Sequence, residues 1–176
     1  MPEPPEAQIK DKYILKEVNA FLEKVLVALE ADKIDISKYE LDHVCYRVSS
    51  AEDYKKYQTE LSKLGTLLSE TEINGRNIST YKLLEPIHFQ DREISVIELP
   101  SPKEDKPHPE GFEHVEFVIQ EKFEDFMAQH PDIKFDLKDA DKEINPDIRI
   151  NYDGFTVKFH HMTVEYKIEH FEKKNI

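Results

Sequence analysis

Between residues 13 and 29 apolar side chains return at Ile14, Val18, Phe21, Leu22, Val25, Leu26 and Leu29, the spacing of one helix face. The pattern predicts an amphipathic helix that packs its apolar stripe on a core. Residues 32–40 read as a connector. The period then drops to two, as Val44, Tyr46 and Val48 alternate with His43, Cys45 and Arg47, which predicts a half-buried strand. Ser50 with Asp53 three residues on is a helix-start pattern. The helix that follows carries Tyr54, Tyr57, Leu61 and Leu64 on one face and stops at Gly65. Residues 67–73 and 76–84 flank Asn74-Gly75, a hairpin turn pair, and residues 94–99 form a further strand. The order so far is β-α-β-β-β.

The same order then repeats. Pro100, Pro102, Pro107, Pro109 and Gly111 mark residues 100–111 as a linker. Beyond it come a strand at 113–119, a helix at 121–130 halted by Pro131, and strands at 133–137, 147–152 and 155–161, the last two joined at Asp153-Gly154. An eight-residue phrase is doubled: LDHVCYRV at 41–48 and FEHVEFVI at 112–119 set His43 against His114 and Asp42 against Glu113. The expected fold is therefore α+β, two pseudo-symmetric β-α-β-β-β modules preceded by an N-terminal helix. Residues 1–36 are read as a disordered start, up to about residue 10, plus that helix. Residues 37–176 are read as one domain built from module 41–99, linker 100–111 and module 112–161.

Composition narrows the partners. The 176 residues carry a formal net charge of -13, which repels both nucleic acid and anionic membrane surfaces. Lys173-Lys174 does not alter that balance. The lone cysteine, Cys45, cannot form an intramolecular disulfide, which fits a reducing compartment. The start, MPEPPE, resembles neither a signal nor a transit peptide, and the longest apolar run, 25–29, is too short to span a bilayer. A cytoplasmic protein is expected.

Alternation decides which residues share the histidine face. In the last strand Thr156, Lys158 and His160 lie opposite the apolar Phe155, Val157 and Phe159, on the side of His43 and His114. In strand 94–99 both faces are mostly apolar, but an ionised Glu98 there is costly unless it is paired or bound to a cation, which favours a functional face for it. His43, Glu98 and His114 form the donor set of many divalent transition-metal sites, and three protein donors leave room for water or substrate. His160 is the candidate fourth donor. Glu116, two residues past His114, is a candidate ligand, supporting group or general base. Arg47, Arg76 and Lys158, with Arg149, would suit a carboxylate- or phosphate-bearing ligand. Cys45 reads as a small buried filler, and His88, His108, His130, His161 and His170 as surface or packing residues.

Several stretches together resemble one family: Asn74-Gly75-Arg76, KLLEP at 82–86, SVIELP at 95–100, PEGFEHVE at 109–116, Asn145-Pro146 and VKFH at 157–160. They are similar to the YecM family of metal-binding proteins within the vicinal oxygen chelate, or glyoxalase/bleomycin-resistance, superfamily. The resemblance implies two modules curled around a cleft, with one divalent metal ion (zinc, nickel, manganese or iron) held between them. It implies a metal that takes two adjacent oxygens of a substrate. His43, Glu98 and His114 match three metal positions of the glyoxalase-type pattern. The fourth position there is a carboxylate on the last strand, where this chain offers Lys158 or His160, a departure that argues against glyoxalase activity itself. The expected function is a metal-dependent isomerase or lyase on a small, oxygen-rich anionic metabolite, with Glu116 or His160 moving a proton and a homodimer in keeping with the fold. Alternatives are a non-catalytic small-molecule binding module, a non-haem iron oxygenase, and an interaction protein with a vestigial cleft.

Overall fold

The computed structural model describes residues 13–105 and 108–172. The expected disordered start and Pro107 of the linker lie outside the described residues, as do Lys173 and Lys174. A short 3-10 turn, Tyr13–Leu15, leads into helix α1 (Val18–Ala31), whose Val18, Phe21, Leu22, Val25 and Leu29 are buried as the periodicity predicts. Strand β1 (Glu40–Arg47) and helix α2 (Ala51–Leu64) follow, then β2 (Gly65–Ile73), β3 (Arg76–Phe89) and β4 (Arg92–Pro100). The second half supplies β5 (Gly111–Val118), α3 (Phe123–Ala128), β6 (Asp147–Tyr152) and β7 (Phe155–His160). A four-residue helix, α4 (Val164–Lys167), and a wide turn over Ile168–Glu172 come last; the sequence pattern had not suggested them.

All seven strands form one sheet in the order β2-β3-β4-β1-β5-β7-β6. Its centre is the antiparallel pair β1–β5, flanked by the parallel pairs β1–β4 and β5–β7. The two halves thus meet strand to strand along the doubled phrase. One face carries Val44, Ile97, Leu99, Val115, Phe117, Val157 and Phe159 into a core shared with α1, α2 and Phe126 of α3. Burying these side chains is worth about 1.5–3 kcal/mol each, so this face holds the fold together. The other face bears the polar residues of the site. At its edge Val96 packs with Val164 and Ile168, which fastens the C-terminal segment over the sheet.

Two expected elements shrink. The strand expected at 133–137 is a single bridge, Asp136 to Arg149, at the outer edge of β6. The Asp136 carboxylate accepts from Lys138 N at 2.9 Å and from Asn151 Nδ2 at 2.9 Å, so this turn-forming side chain diverts the backbone after one ladder pair. The helix expected at 121–130 covers only Phe123–Ala128, because Glu121 is held by Tyr39 Oη at 2.6 Å and by Lys38 at 2.9 Å, outside the helix. Ser50 caps α2 as anticipated, its Oγ accepting from Asp53 N at 3.0 Å.

Gly65 does end α2, but for a reason the residue pattern hides. Its φ is -167°, ordinary extended backbone that opens β2. A Cβ at this position would stand 2.2 Å from Lys82 O and 2.9 Å from Leu83 Cα, so the glycine admits the β3 backbone. Gly65→Ala is expected to destabilise by about 1–3 kcal/mol through overpacking. In urea the unfolding midpoint should fall while the slope stays constant.

Candidate metal centre

The central strands bring the two histidines together through their register. His43 lies opposite Glu116, and Cys45 lies opposite His114. Cys45 and Glu116 therefore hold equivalent places in the two halves. The parallel neighbours add Glu98 beside Cys45 and Lys158 beside Glu116, so Lys158 holds in the second half the place of Glu98 in the first.

At the cluster itself, His43 Nε2 lies 2.6 Å from Glu116 Oε2 and 3.6 Å from Glu98 Oε2. His114 Nε2 lies 3.4 Å from the same Glu116 oxygen and 3.8 Å from Glu98 Oε1. One donor atom from each of His43, Glu98, His114 and Glu116 falls within 4.8 Å of all the others. His160 stands beside this set, with Nδ1 3.4 Å from Glu116 Oε1 and Nε2 3.1 Å from Asp42 Oδ2. Asn145 steadies that ring, its Nδ2 lying 3.3 Å from His160 Nδ1 and 3.0 Å from Met162 O.

Two irregularities in the β1–β5 ladder give the arrangement its support. Leu41 pairs with Phe117 and His43 with Glu116, which leaves Asp42 as an extra residue in β1. Cys45 pairs with His114 and Tyr46 with Phe112, which leaves Glu113 as an extra residue in β5. Bulges of this kind re-aim side chains. Here each one turns an acid back onto the histidine that follows it: His43 Nδ1–H donates to Asp42 Oδ2 at 2.9 Å, and His114 Nδ1–H donates to Glu113 Oε2. A proton fixed on Nδ1 leaves the lone pair on Nε2, the tautomer a metal ligand needs. Residue reading missed these two acids as functional groups. The signal was the acid-histidine pair in both copies of the phrase, but strict alternation would have sent acid and histidine to opposite faces.

Among the described residues, the buried Nε2 atoms of His43 and His114 find no hydrogen-bond partner of acceptable geometry, despite the carboxylate oxygens around them. Leaving such atoms unpaired costs on the order of 1–3 kcal/mol each. Two lone-pair nitrogens and two carboxylates aimed at one point fit a divalent cation, which would satisfy all of them at once.

Charge follows the same logic. Burial opposes the imidazolium of His43, but Glu116 and Asp42 outweigh it and hold its pKa well above the ordinary value. Burial likewise opposes His114, and Cys45 and Glu113 outweigh it. His160 ends at about 9, burial being overcome by Asp42 and Glu116. Burial works against the carboxylates too, yet His160 and His43 hold Asp42 at about 2, His114 and Arg47 hold Glu113 at about 2, and His43 and Lys158 hold Glu116 well below the usual range.

A pH dependence follows for the metal-free protein. His160 titrates near 9 when folded and at its ordinary 6.5 when unfolded, so its stabilisation is complete below 6.5 and lost as pH rises through 9. His43 and His114 act in the same sense. Asp42 and Glu113, lowered to about 2, stabilise above their ordinary values of 3.8 and 4.5 and lose that contribution as pH falls toward 2. Melting temperature should therefore peak between about pH 5 and 6.5 and decline toward pH 9. A flat profile from 6.5 to 9 in metal-free protein would contradict these charge states.

All eight residues singled out from the sequence, Arg47, Arg76, Lys158, Glu116, His43, Glu98, His114 and His160, line one cavity of about 440 Å³. Arg149 lines it as well but is engaged with Asp139 and Asp147. Cys45 is buried against the cluster, while His161 stacks on Phe123 and His170 on Tyr166.

Known proteins resemble this chain at three levels. The YecM protein family matches residues 10–170. An uncharacterised protein of Haemophilus influenzae is 42% identical over 86 residues, covering 49% of this chain and 45% of that protein. Protein YecM of Escherichia coli K12 is 35% identical over 86 residues, covering 49% and 46%. The matched segments thus span about half the length of these curated relatives. Among solved structures, the structural-genomics protein EC4020 superposes with a TM-score of 0.75 at 25% identity, over 90% of this chain and 91% of that one. Streptomyces coelicolor methylmalonyl-CoA epimerase, in complex with 2-nitronate-propionyl-CoA, reaches 0.50 at 10% identity over 71% and 98%, a likeness of fold alone.

Proposed function

The chain belongs to the YecM family, within the vicinal oxygen chelate superfamily, and we propose that it is a divalent-metal-dependent isomerase or lyase acting on a small, oxygen-rich anionic metabolite. The reading keeps residues 37–176 as one working unit, with the reaction at the seam between its halves. The observation that carries it is the convergence of His43 and His114 Nε2 with Glu98 and Glu116, neither Nε2 having a hydrogen-bond partner among the described residues. When bound there, the metal supplies Lewis-acid stabilisation of negative charge on two adjacent substrate oxygens.

The four donors His43, Glu98, His114 and Glu116 would hold the ion, which would supply Lewis-acid chemistry to a substrate that offers two oxygens. That count favours this chemistry over the iron oxygenase pattern of two histidines and one carboxylate. Glu116 moves the proton through Oε1, the oxygen turned toward His160, while its other oxygen, beside His43 Nε2, would face the metal. His160, held by Asp42 and carrying its own proton below about pH 9, keeps that carboxylate ionised. Lys158 offsets the charge of an anionic substrate next to Glu116.

The test is exchange at carbon. Untagged protein is loaded in turn with zinc, nickel, manganese and ferrous iron, and 2-hydroxy and 2-oxo acids are incubated with it in deuterated buffer. Exchange of the proton beside the carbonyl should appear by NMR and fall by 10²-fold or more in Glu116→Gln, on the order expected for a lost general base. Failure of the wild type to take up any of the four metals would end the enzyme reading in favour of a metal-free binding cavity.

A further inference from the structure

The cavity holds more positive charge than the metal cluster accounts for, and the charge divides unevenly between its ends. At one end three cations already have carboxylates. Lys142 lies 3.4 Å from Asp139 and 3.6 Å from Asp147, Arg149 holds the same two acids, and Lys167 lies 3.6 Å from Glu172. At the other end Arg76 lines the cavity with no ion pair to a carboxylate among the described residues. Arg47 engages Glu113 through Nε at 3.3 Å, but its Nη1 is buried without a hydrogen-bond partner among the described residues.

Register puts these two guanidinium groups on one face. Cys45 of β1 pairs with Glu98 of β4, and Pro100 of β4 pairs with Ile78 of β3. Alternation then sets Arg47 and Arg76 on the side of Glu98, at the rim of the metal cluster. Arg76 feels the crowding, since burial first and Arg47 second push it below its ordinary value. His108 nearby is lowered by burial and by the same Arg47. Two partly buried like charges, one of them with an unpartnered buried donor among the described residues, make a place for an anion that accepts forked hydrogen bonds. Glu113 joins this place to the cluster, because it accepts from both Arg47 Nε and His114 Nδ1.

We infer that the cavity takes a dianion: two adjacent oxygens at one end meet the His43–Glu98–His114–Glu116 cluster, and a second anionic group, a carboxylate or a phosphate, sits between Arg47 and Arg76. This deepens the metal reading above and rests on it. A small metabolite with one charge leaves the arginine end unfilled, and a long one has no such second contact.

Three probes share an α-hydroxycarboxylate and differ at the far end: 2-hydroxybutyrate carries no second charge, malate a carboxylate, and 3-phosphoglycerate a phosphate. Their binding to zinc-loaded protein is measured by calorimetry, using both enantiomers of each. At least one dianion is expected to bind ten-fold or more tighter than 2-hydroxybutyrate. The better of malate and 3-phosphoglycerate identifies the anion. In Arg76→Ala and Arg76→Gln that ratio should fall to within two-fold of one. Equal affinities in the wild type, no binding of any probe at millimolar concentration, or a ratio that survives both Arg76 variants would overturn the proposal. The His43→Ala/His114→Ala protein separates the two readings. An Arg76-dependent preference that persists in wild type when zinc does not bind would retain the arginine site and remove the metal. Stoichiometric zinc with no preference would do the reverse.

Discussion

Purified without an affinity tag, the wild-type protein is expected to carry, or take up, one divalent metal per chain, and the His43→Ala/His114→Ala variant to carry none. Mass spectrometry of metal content makes the measurement. The expected loss is complete because the two rings are the nitrogen donors of a four-member set, and the remaining Glu98 and Glu116 are exposed to mutual repulsion without them. The variant also leaves buried acids without their partners, since Asp42, Glu113 and Glu116 all face these rings. Removing one member of a buried charged pair costs about 3–5 kcal/mol, so the variant's melting must be recorded beside its metal content. His43→Gln and His114→Gln, each alone, keep a polar side chain in place and guard against a merely unfolded result. A folded variant that still binds one metal per chain would place the ion elsewhere in the molecule.

Which parts of this centre could be read from the residues follows from what alternation and repetition encode. A doubled phrase with histidine in its third place is enough to pair β1 with β5 in thought, and parity alone puts Lys158 and His160 on the histidine side of β7. The cost of an ionised Glu98 in an apolar strand was likewise a sound guide to its face, since the structure sets it beside Cys45 and within reach of both rings. What escapes such reading is whatever breaks the period. The bulges at Asp42 and Glu113 depend on how two strands meet across the sheet, and no single strand records it. The bridge that replaces a strand at 133–137 depends on where the Asp136 carboxylate finds donors. The glycine at 65 marks a close approach to Lys82, seventeen residues along the chain, rather than a left-handed cap. α4 is too short to show a period, and it is held partly by a backbone bond from Val164 N to Asp42 Oδ2 at 2.9 Å, again a contact between distant residues.

The acids in those bulges offer the sharpest test of how the site is built. Asp42→Ala and Glu113→Ala each remove the acceptor that fixes one histidine on its Nδ1 side, and each is expected to weaken zinc binding by about 10–100-fold. Competition against a fluorescent chelator reads the change directly. The two losses should differ in kind, however similar in size. Glu113 also meets Arg47, so its replacement frees a guanidinium and should tighten anion binding at the arginine end while metal affinity falls. Asp42 also meets His160 and Val164 N, so its replacement should lower the melting temperature as well, by loosening the segment after β7. Asp42→Asn separates charge from geometry, because an amide oxygen can still accept from His43 Nδ1–H. If orientation is what the bulge contributes, Asn should recover most of the zinc affinity that Ala loses. If the negative charge matters more, through a more basic Nε2, Asn should behave like Ala. Alanine variants that bind zinc as tightly as the wild type would mean that the bulged acids only neutralise buried histidines and do not prepare them for a metal.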